Sequence, residues 1–467
     1  MSDPALRALA DAEPAVFWLD DPAAPDPAPA LVEDVECDLA VVGAGYTGLW
    51  TALRARERGE ADDVVVLDAG RSGAAASGRN GGFCAASLTH GTGNGYARWP
   101  AEMPVLDRLG TPNLDGIEAA VQRYGIDCDF RRTGALDVAT EPWQLEELRE
   151  RAVLPVPDGA SPPLLLDAGQ VRAELDSPTY LGGFWETDTT ALVEPARLAW
   201  GLRAAAESRG VRLFEHSPVT ALEAGPDRIV LRTPNALVRA RRVVLATNAF
   251  PSLLRRVRPF VVPVYDYALV TEPLSQAQLA SIGWRNRQGV GDMGNQFHYY
   301  RLTRDDRVLW GGYDAIYHYG NGIDARHEQR PETFALLARH FAETFPQLAD
   351  VRFTHRWGGV IDTSTRFCAF YGTASSGRVA YALGFTGLGV GASRFAADVL
   401  LDLLTGADTE RSRLEMVRRK PVPFPPEPFR AAGIALTKRA MARSDRDGGR
   451  RNLWLRTLDR AGLGFDS

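Results

Sequence analysis

The chain has 467 residues, enough for two domains and a large buried core. Its 45% hydrophobic and 24% charged residues are those of an ordinary globular protein, and a net charge of -6 leaves no nucleic-acid footprint. All but two of the 53 basic residues are arginine, the exceptions being Lys420 and Lys438. The four cysteines, Cys37, Cys84, Cys128 and Cys368, form no C-x-x-C, so neither a zinc cluster nor a disulfide framework is expected, and a reducing, cytoplasmic setting is. With no basic-then-apolar leader and no apolar run of about eighteen residues, neither a secretion signal nor a transmembrane helix is expected.

Residues 1–34 are rich in Ala, Pro and Asp and read as an extended, poorly ordered arm, in which AVFWLD could pack on the body. CDLAVV then reads as a buried strand, YTGLWTALRARERG as a helix ending at Gly59, and DVVVLD as a second buried strand, a β-α-β unit that implies a parallel sheet. Helical pieces such as EPWQLEELRERA follow. PARLAWGLRAAAESRG is a helix with Pro195 in its first turn and Gly210 at its end. Short strands close on VVLATNA, and residues 258–355 are rich in strands and aromatics. RVAYALGFTGLGVGASRFAADVLLDLLTG is strand, glycine turn, helix. The Arg-rich last fifty residues run from PVPFPPEPF into amphipathic helices.

VVGAGYTGLW supplies G-x-G-x-x-G as Gly43, Gly45 and Gly48, between a buried strand and a helix. Asp68 follows at the end of the next strand, the spacing of a dinucleotide site. Gly43 makes the tight turn, Gly45 admits the pyrophosphate, and Gly48 lets helix and strand pack closely. The pyrophosphate would rest on the helix N-terminus and Asp68 would accept from a ribose diol. NAD and FAD both fit this much. An NAD domain normally continues into further regular β-α units, whereas this chain runs into AGRSGAAASGRNGG, and much later into VVLATNA and GFTGLGVG. Three remote loops converging on one ligand suit a long, buried FAD.

Together GAGYTGL, SGRNGGF, VVLATNAF, YYRLTRDDRVLWGG, WGGVIDTS and GFTGLGVGAS resemble the D-amino-acid oxidase superfamily of FAD-dependent oxidoreductases, and within it the γ-glutamylputrescine oxidase-like branch. The resemblance implies a mixed α/β fold. Its parts are a Rossmann-like FAD-binding domain of the glutathione-reductase type (35–105, 187–257 and 356–410) and a mostly antiparallel substrate domain (106–186 and 258–355), with a helical extension over 411–467. It implies that Gly43, Ala44, Gly45, Tyr46, Thr47 and Gly48 hold the pyrophosphate, and that Asp68, Ala69 and Arg71 hold the adenosine half. Val219 would touch adenine, closed in by Ala246, Thr247, Asn248 and Ala249. Ser77, Gly78, Arg79, Asn80, Gly81 and Gly82 would follow the ribityl chain to the flavin ring. Gly384, Phe385, Thr386, Gly387, Leu388, Gly389 and Val390 would set a helix N-terminus at the pyrimidine edge, where amides stabilise the negative charge of reduced flavin.

Departures from the family's patterns bear on the chemistry. The positions that carry a covalent flavin link in some relatives fall at Gly358 and near Asn80, so FAD is expected to be noncovalent. The arginine that clamps a substrate α-carboxylate in glycine oxidase-like relatives falls at Ile361, which favours an amine over an α-amino acid, with Arg301 or Arg356 left as other clamps. The lysine that assists reaction with O2 falls at Trp310, which keeps a dehydrogenase in play beside an oxidase. On the strand NQFHYYR, alternation sends His298 and Tyr300 to one face and Tyr299 and Arg301 to the other. Tyr300 matches a flavin-facing family position, so Tyr300, His298 and Trp357 are the expected catalytic-site residues, in a cage for an amine. Asp266, Asp292 and Asp314 are further carboxylates for a cationic substrate. No metal-ligand spacing occurs. The expected reaction is oxidation of the C–N bond of a primary or secondary amine to an imine and then an aldehyde, with O2 as acceptor. The rivals are an FAD dehydrogenase, an NAD dehydrogenase and a non-catalytic flavoprotein whose C-terminal helices bind a partner or membrane surface.

Overall fold

The structure, a computed structural model, describes residues 4–156 and 160–464. The run CDLAVV lies in the strand Val35–Val42, flanked in parallel by Val64–Leu67 and Leu237–Leu245, with Val41 level with both Val66 and Val244. The helix Tyr46–Glu57 makes the crossover between the first two strands. The mixed, eight-stranded sheet runs in the order Phe370–Ala374, Val379–Leu383, Leu237–Leu245, Val35–Val42, Val64–Leu67, Arg212–Phe214, with Ile229–Arg232 and Ala221–Ala224 added beside Leu237–Leu245; its pairings are parallel except those two and that of Phe370–Ala374 with Val379–Leu383. Tyr46–Glu57, Pro195–Ser208 and Gly389–Thr405 bury their apolar faces in one common core. A second apolar cluster includes Ala40, Val65 and Val243, whose neighbours along each strand point into the first. Continuous apolar strands covered on both faces are what a parallel α/β sheet requires.

A second, nine-stranded sheet follows the order Ile316–Tyr317, Val262–Thr271, Val308–Gly312, His298–Leu302, Gly289–Asp292, Ala135–Ala139, Gly182–Glu186, Leu164–Asp167, with Phe353–Thr363 also paired to Val262–Thr271. All its pairings are antiparallel except that of Gly289–Asp292 with Ala135–Ala139. The mixed α/β class with a mostly antiparallel second sheet is therefore as expected from the sequence.

Three segments sit differently from the reading of the sequence. Residues 356–363 belong to the second sheet, because Phe353–Thr363 pairs along Val262–Thr271. The helix Met103–Arg123 packs Leu106, Leu114 and Ile117 into the core of the first sheet, although residues from 106 were read as part of the other domain. The N-terminal arm is pinned rather than poorly ordered; its AVFWLD segment packs on the body as the sequence allows, with Trp18 4% exposed and its Nε1 donating to the Asn80 carbonyl at 2.9 Å. Further along, the Ala28 amide donates to Glu215 and the Leu31 amide to Ser217 Oγ. A Pro-rich segment lacks regular structure, yet its remaining N–H groups still find partners. All four cysteines are buried and unpaired, and among the described residues no helix is long and apolar enough to cross a membrane.

Candidate functional site

The glycine turn is held by contacts that leave no room for side chains. Gly43 adopts φ +108°, and a Cβ on it would lie 2.4 Å from the Ala246 carbonyl oxygen. A Cβ on Gly48 would lie 1.8 Å from the Gly43 carbonyl oxygen. Asp68 braces this turn: Oδ2 accepts from the Ala44 amide at 2.6 Å and Oδ1 from Gly70 at 2.8 Å. Arg71 is held by buried Glu215 at 3.3 Å and by the Pro25 carbonyl. The Ser217 amide donates to the Asp68 carbonyl, which brings the segment leading to Val219 beside Asp68 and Ala69.

Tyr46 and Thr47 open onto a cavity of about 990 Å³ between the two sheets. The loop that begins at Ser77 forms its next wall. Ser77 Oγ accepts from the Tyr46 amide at 2.9 Å, which joins this loop to the first helix. Asn80 folds back on its own loop, donating to the Ala76 and Ser77 carbonyls and accepting from the Gly82 amide, so its side chain stiffens the backbone. Arg79 pairs with Glu328 at 2.6 Å. Trp357, from the second sheet, donates Nε1 to the Arg79 carbonyl at 2.9 Å and so clips the loop to that sheet while lining the cavity.

The third segment arrives from the far end of the first sheet. Phe385, Thr386, Gly387, Leu388, Gly389 and Val390 line the cavity at the start of Gly389–Thr405, a helix without a side-chain cap. Asp362 ties it to the second sheet, with Oδ2 accepting from the Gly384 amide at 2.5 Å. Burial pushes the Asp362 carboxyl up to about 7 against these amide contacts. Asn248 also lines the cavity, and the buried Asn248 Oδ1 and Thr247 Oγ1 have no hydrogen-bond partner.

The strand His298–Leu302 alternates as its sequence dictates, but the face turned to the cavity is that of Tyr299. The Tyr299 ring lies against Gly81 and across Gly311, where added Cβ atoms would fall 2.7 and 2.6 Å from ring carbons. Its hydroxyl donates to Asp266 Oδ2 at 2.6 Å. Burial pushes the Asp266 carboxyl up to about 6, against the lowering effect of that hydrogen bond, and nearby Asp314 pushes it the same way.

Tyr300 and His298 face away. Tyr300 is fully buried against Trp284, Trp310 and Phe345, and its hydroxyl meets that of Tyr180 at 2.5 Å. His298 has both ring nitrogens engaged, Nδ1 with Asp292 at 2.6 Å and Nε2 with His340 at 2.9 Å. Neither of these two expected catalytic side chains lines the cavity. The helix Pro331–Thr344 and the Phe345 that ends it cover that face with Phe341 and Phe345, which the strand's own sequence cannot reveal. Trp310 is on the same covered face, stacked on His298.

Neither alternative clamp reaches the site. Arg301 is 1% exposed and donates Nη1 to the Val193 carbonyl, and Arg356 lies over Phe334; neither lines the cavity. Ile361 does line it. Asp292 and Asp314 also line it, but Asp292 holds His298 and Asp314 is paired with Arg330 and Lys438. Of the three carboxylates the sequence offers for a cationic substrate, Asp266 is the one the Tyr299 hydroxyl reaches, from two strands away across Gly311.

Two helices that follow parallel strands of a mixed sheet, neither capped by its own N-cap side chain, open onto one cavity whose far wall is a second sheet, the arrangement of a dinucleotide-binding fold. The FAD dependent oxidoreductase family (DAO) matches residues 38–403, and the chain belongs to it: it is an FAD-dependent oxidoreductase. It is 33% identical over 404 residues to γ-glutamylputrescine oxidoreductase of Escherichia coli (strain K12), which spans 82% of this chain and 87% of that protein. It is 28% identical to a probable oxidoreductase OrdL of Haemophilus influenzae, over 83% of this chain and 87% of that one. The structure of glycine oxidase from Geobacillus kaustophilus superposes with a TM-score of 0.66 at 20% identity, over 80% of this chain and 96% of that one. The cradle fits FAD, offering two helix N-termini without an N-cap side chain for phosphates and unpartnered polar atoms at Thr247 and Asn248.

Proposed function

We propose that this chain oxidises the C–N bond of a primary or secondary amine to an imine, which water then hydrolyses to an aldehyde and the free amine. The observation that carries this reading is the Tyr299–Asp266 pair, a carboxylate held by a phenol on the cavity wall, with the phenol ring against the loop 77–82. Such a pair, with Trp357 beside it, suits an ammonium that must dock and lose a proton before its carbon can give up hydride. Bound FAD supplies the hydride acceptor.

In this reading Gly43–Gly48 take the pyrophosphate. Asp68, Ala69, Arg71, Val219, Ala246, Thr247 and Asn248 surround the adenosine half, and the segments 77–82 and 384–390 hold the flavin end. FAD is bound without a covalent link: Gly358 has no side chain to offer, and Cys368 is fully buried in the core of the first sheet. Tyr299 fixes Asp266, Asp266 receives the ammonium proton, and Trp357 keeps the loop against the sheet and water out. The E. coli relative named as acting on γ-glutamylputrescine accords with an amine substrate. Four buried free thiols accord with a cytoplasmic setting.

O2 is the proposed acceptor. One observation favours a second reading, a dehydrogenase that delivers electrons elsewhere: the lysine-equivalent position is Trp310, turned into the core, while Arg79 and Lys438 on the cavity wall are already paired. Mixing the holoenzyme with an amine panel without air tests the function, with bleaching of the flavin expected. A flavin left oxidised by every amine contradicts it. Peroxide formation on readmitting air then separates oxidase from dehydrogenase.

A further inference from the structure

The family match ends at residue 403, yet the chain continues into the helices Phe429–Arg446 and Leu453–Arg460. Ile434, Thr437, Lys438 and Met441 recur at spacings of three and four, so they form one stripe on the first of these helices. All four line the cavity that holds Tyr299 and Asp266. An apolar stripe on a surface helix normally packs into a core. Here Ile434 and Met441 belong to none of the molecule's apolar clusters among the described residues. Their surroundings are the cavity instead.

The helix is fastened in that position at both ends by polar contacts. Arg430 Nη1 donates to Asn321 Oδ1 at 2.8 Å, and Asp445 accepts from the Asn295 amide at 2.9 Å and from its side chain at 2.6 Å. Between these ties Lys438 pairs with Asp314. Trp454 Nε1 donates to Thr437 Oγ1 at 3.0 Å, which seats the second helix so that Leu455 and Leu458 extend the same wall.

We infer that the helix Phe429–Arg446 is the specificity wall of the enzyme. In this arrangement the substrate's amine end lies at Asp266 and Tyr299 and its tail runs along Ile434 and Met441. The substrate class is thereby an amine with an extended, predominantly aliphatic chain. This rests on the amine reading above.

The test uses the full-length holoenzyme. With the four native cysteines buried, Met441→Cys introduces one cavity-facing thiol, and Arg439→Cys introduces an exposed control thiol on the same helix. A linear alkylamine series from propylamine to decylamine is screened for flavin bleaching without air, and the rate of maleimide labelling is then followed. A long amine at about ten times its dissociation constant is expected to slow labelling of Met441→Cys about tenfold, while propylamine does not and the Arg439→Cys rate is unchanged. Met441→Ala removes apolar contact with the tail and is expected to lower the decylamine-to-propylamine ratio of kcat/KM. Bleaching by decylamine with unaltered labelling at both thiols overturns the inference and leaves the amine reading standing. Absence of bleaching by every amine overturns both.

Discussion

Tyr299 donates its phenolic hydrogen to Asp266 Oδ2 at 2.6 Å from a strand two places away in the sheet, reaching across Gly311. In the proposed amine oxidation this contact sets the chemistry of the site. Burial, with nearby Asp314 adding to it, raises the carboxyl; the phenol pulls it back, and the carboxyl is left pushed up to about 6. Near neutral pH it is charged enough to dock an ammonium and close enough to its ionisation midpoint to hold a proton.

Asp266→Asn is expected to lower kcat/KM for amines by roughly 100-fold, the usual scale for a positioned acid–base group. Wild-type kcat/KM should rise with pH through about 6 as the carboxyl ionises, and the variant should lose that limb. A pH profile retained in the variant assigns the limb to another group.

The same substitution should stabilise the fold. A carboxyl whose folded-state value lies above its unfolded 3.8 makes the native state less stable as pH rises from about 4 through about 6, since the unfolded chain releases its proton first. A shift of about two units corresponds to about 3 kcal/mol as an upper bound. The Tm gain of Asp266→Asn over wild type should therefore grow between acid and neutral pH; a gain independent of pH contradicts this.

Two tyrosines side by side in sequence should behave oppositely. Tyr299→Phe frees Asp266 from its donor, so the acid limb should move to higher pH and kcat/KM fall. Tyr300→Phe leaves the Tyr180 hydroxyl buried without its partner, which should cost about 1–3 kcal/mol of stability with kinetics near wild type. Steady-state kinetics and denaturant titration of both variants distinguish these outcomes.

Gly311→Ala would bring a Cβ 2.6 Å from the Tyr299 ring and should displace it, lowering turnover while FAD content stays at the wild-type level. Gly48→Ala would bring a Cβ 1.8 Å from backbone and should abolish FAD loading. The ratio of flavin to protein absorbance reports each. Acid precipitation of the holoenzyme should leave a colourless pellet, with all FAD in the supernatant.

The glycine segments were legible because each reflects a local backbone demand: Gly43 and Gly48 allow no side chain whatever lies beyond them. The parallel sheet was legible from apolar runs such as CDLAVV. Alternation along His298–Leu302 was legible too, but not which face is covered, since that is decided by Phe341 and Phe345, more than forty residues away. Asp266 was one of three candidate carboxylates in the sequence, and strand pairing, which places it level with Gly359 and two strands from Tyr299, sets it apart from Asp292 and Asp314. The stripe Ile434–Met441 read as amphipathic, and an amphipathic helix does not state what its apolar side meets.

The most direct measurement is the absorbance of the flavin in wild type and Asp266→Asn, mixed without air with one amine that bleaches the wild type. Fast bleaching in wild type, rising with pH through about 6, and bleaching slowed roughly 100-fold in Asp266→Asn is the expected result. Equal bleaching rates in the two proteins across that range would contradict the assignment of this carboxylate to the reacting amine.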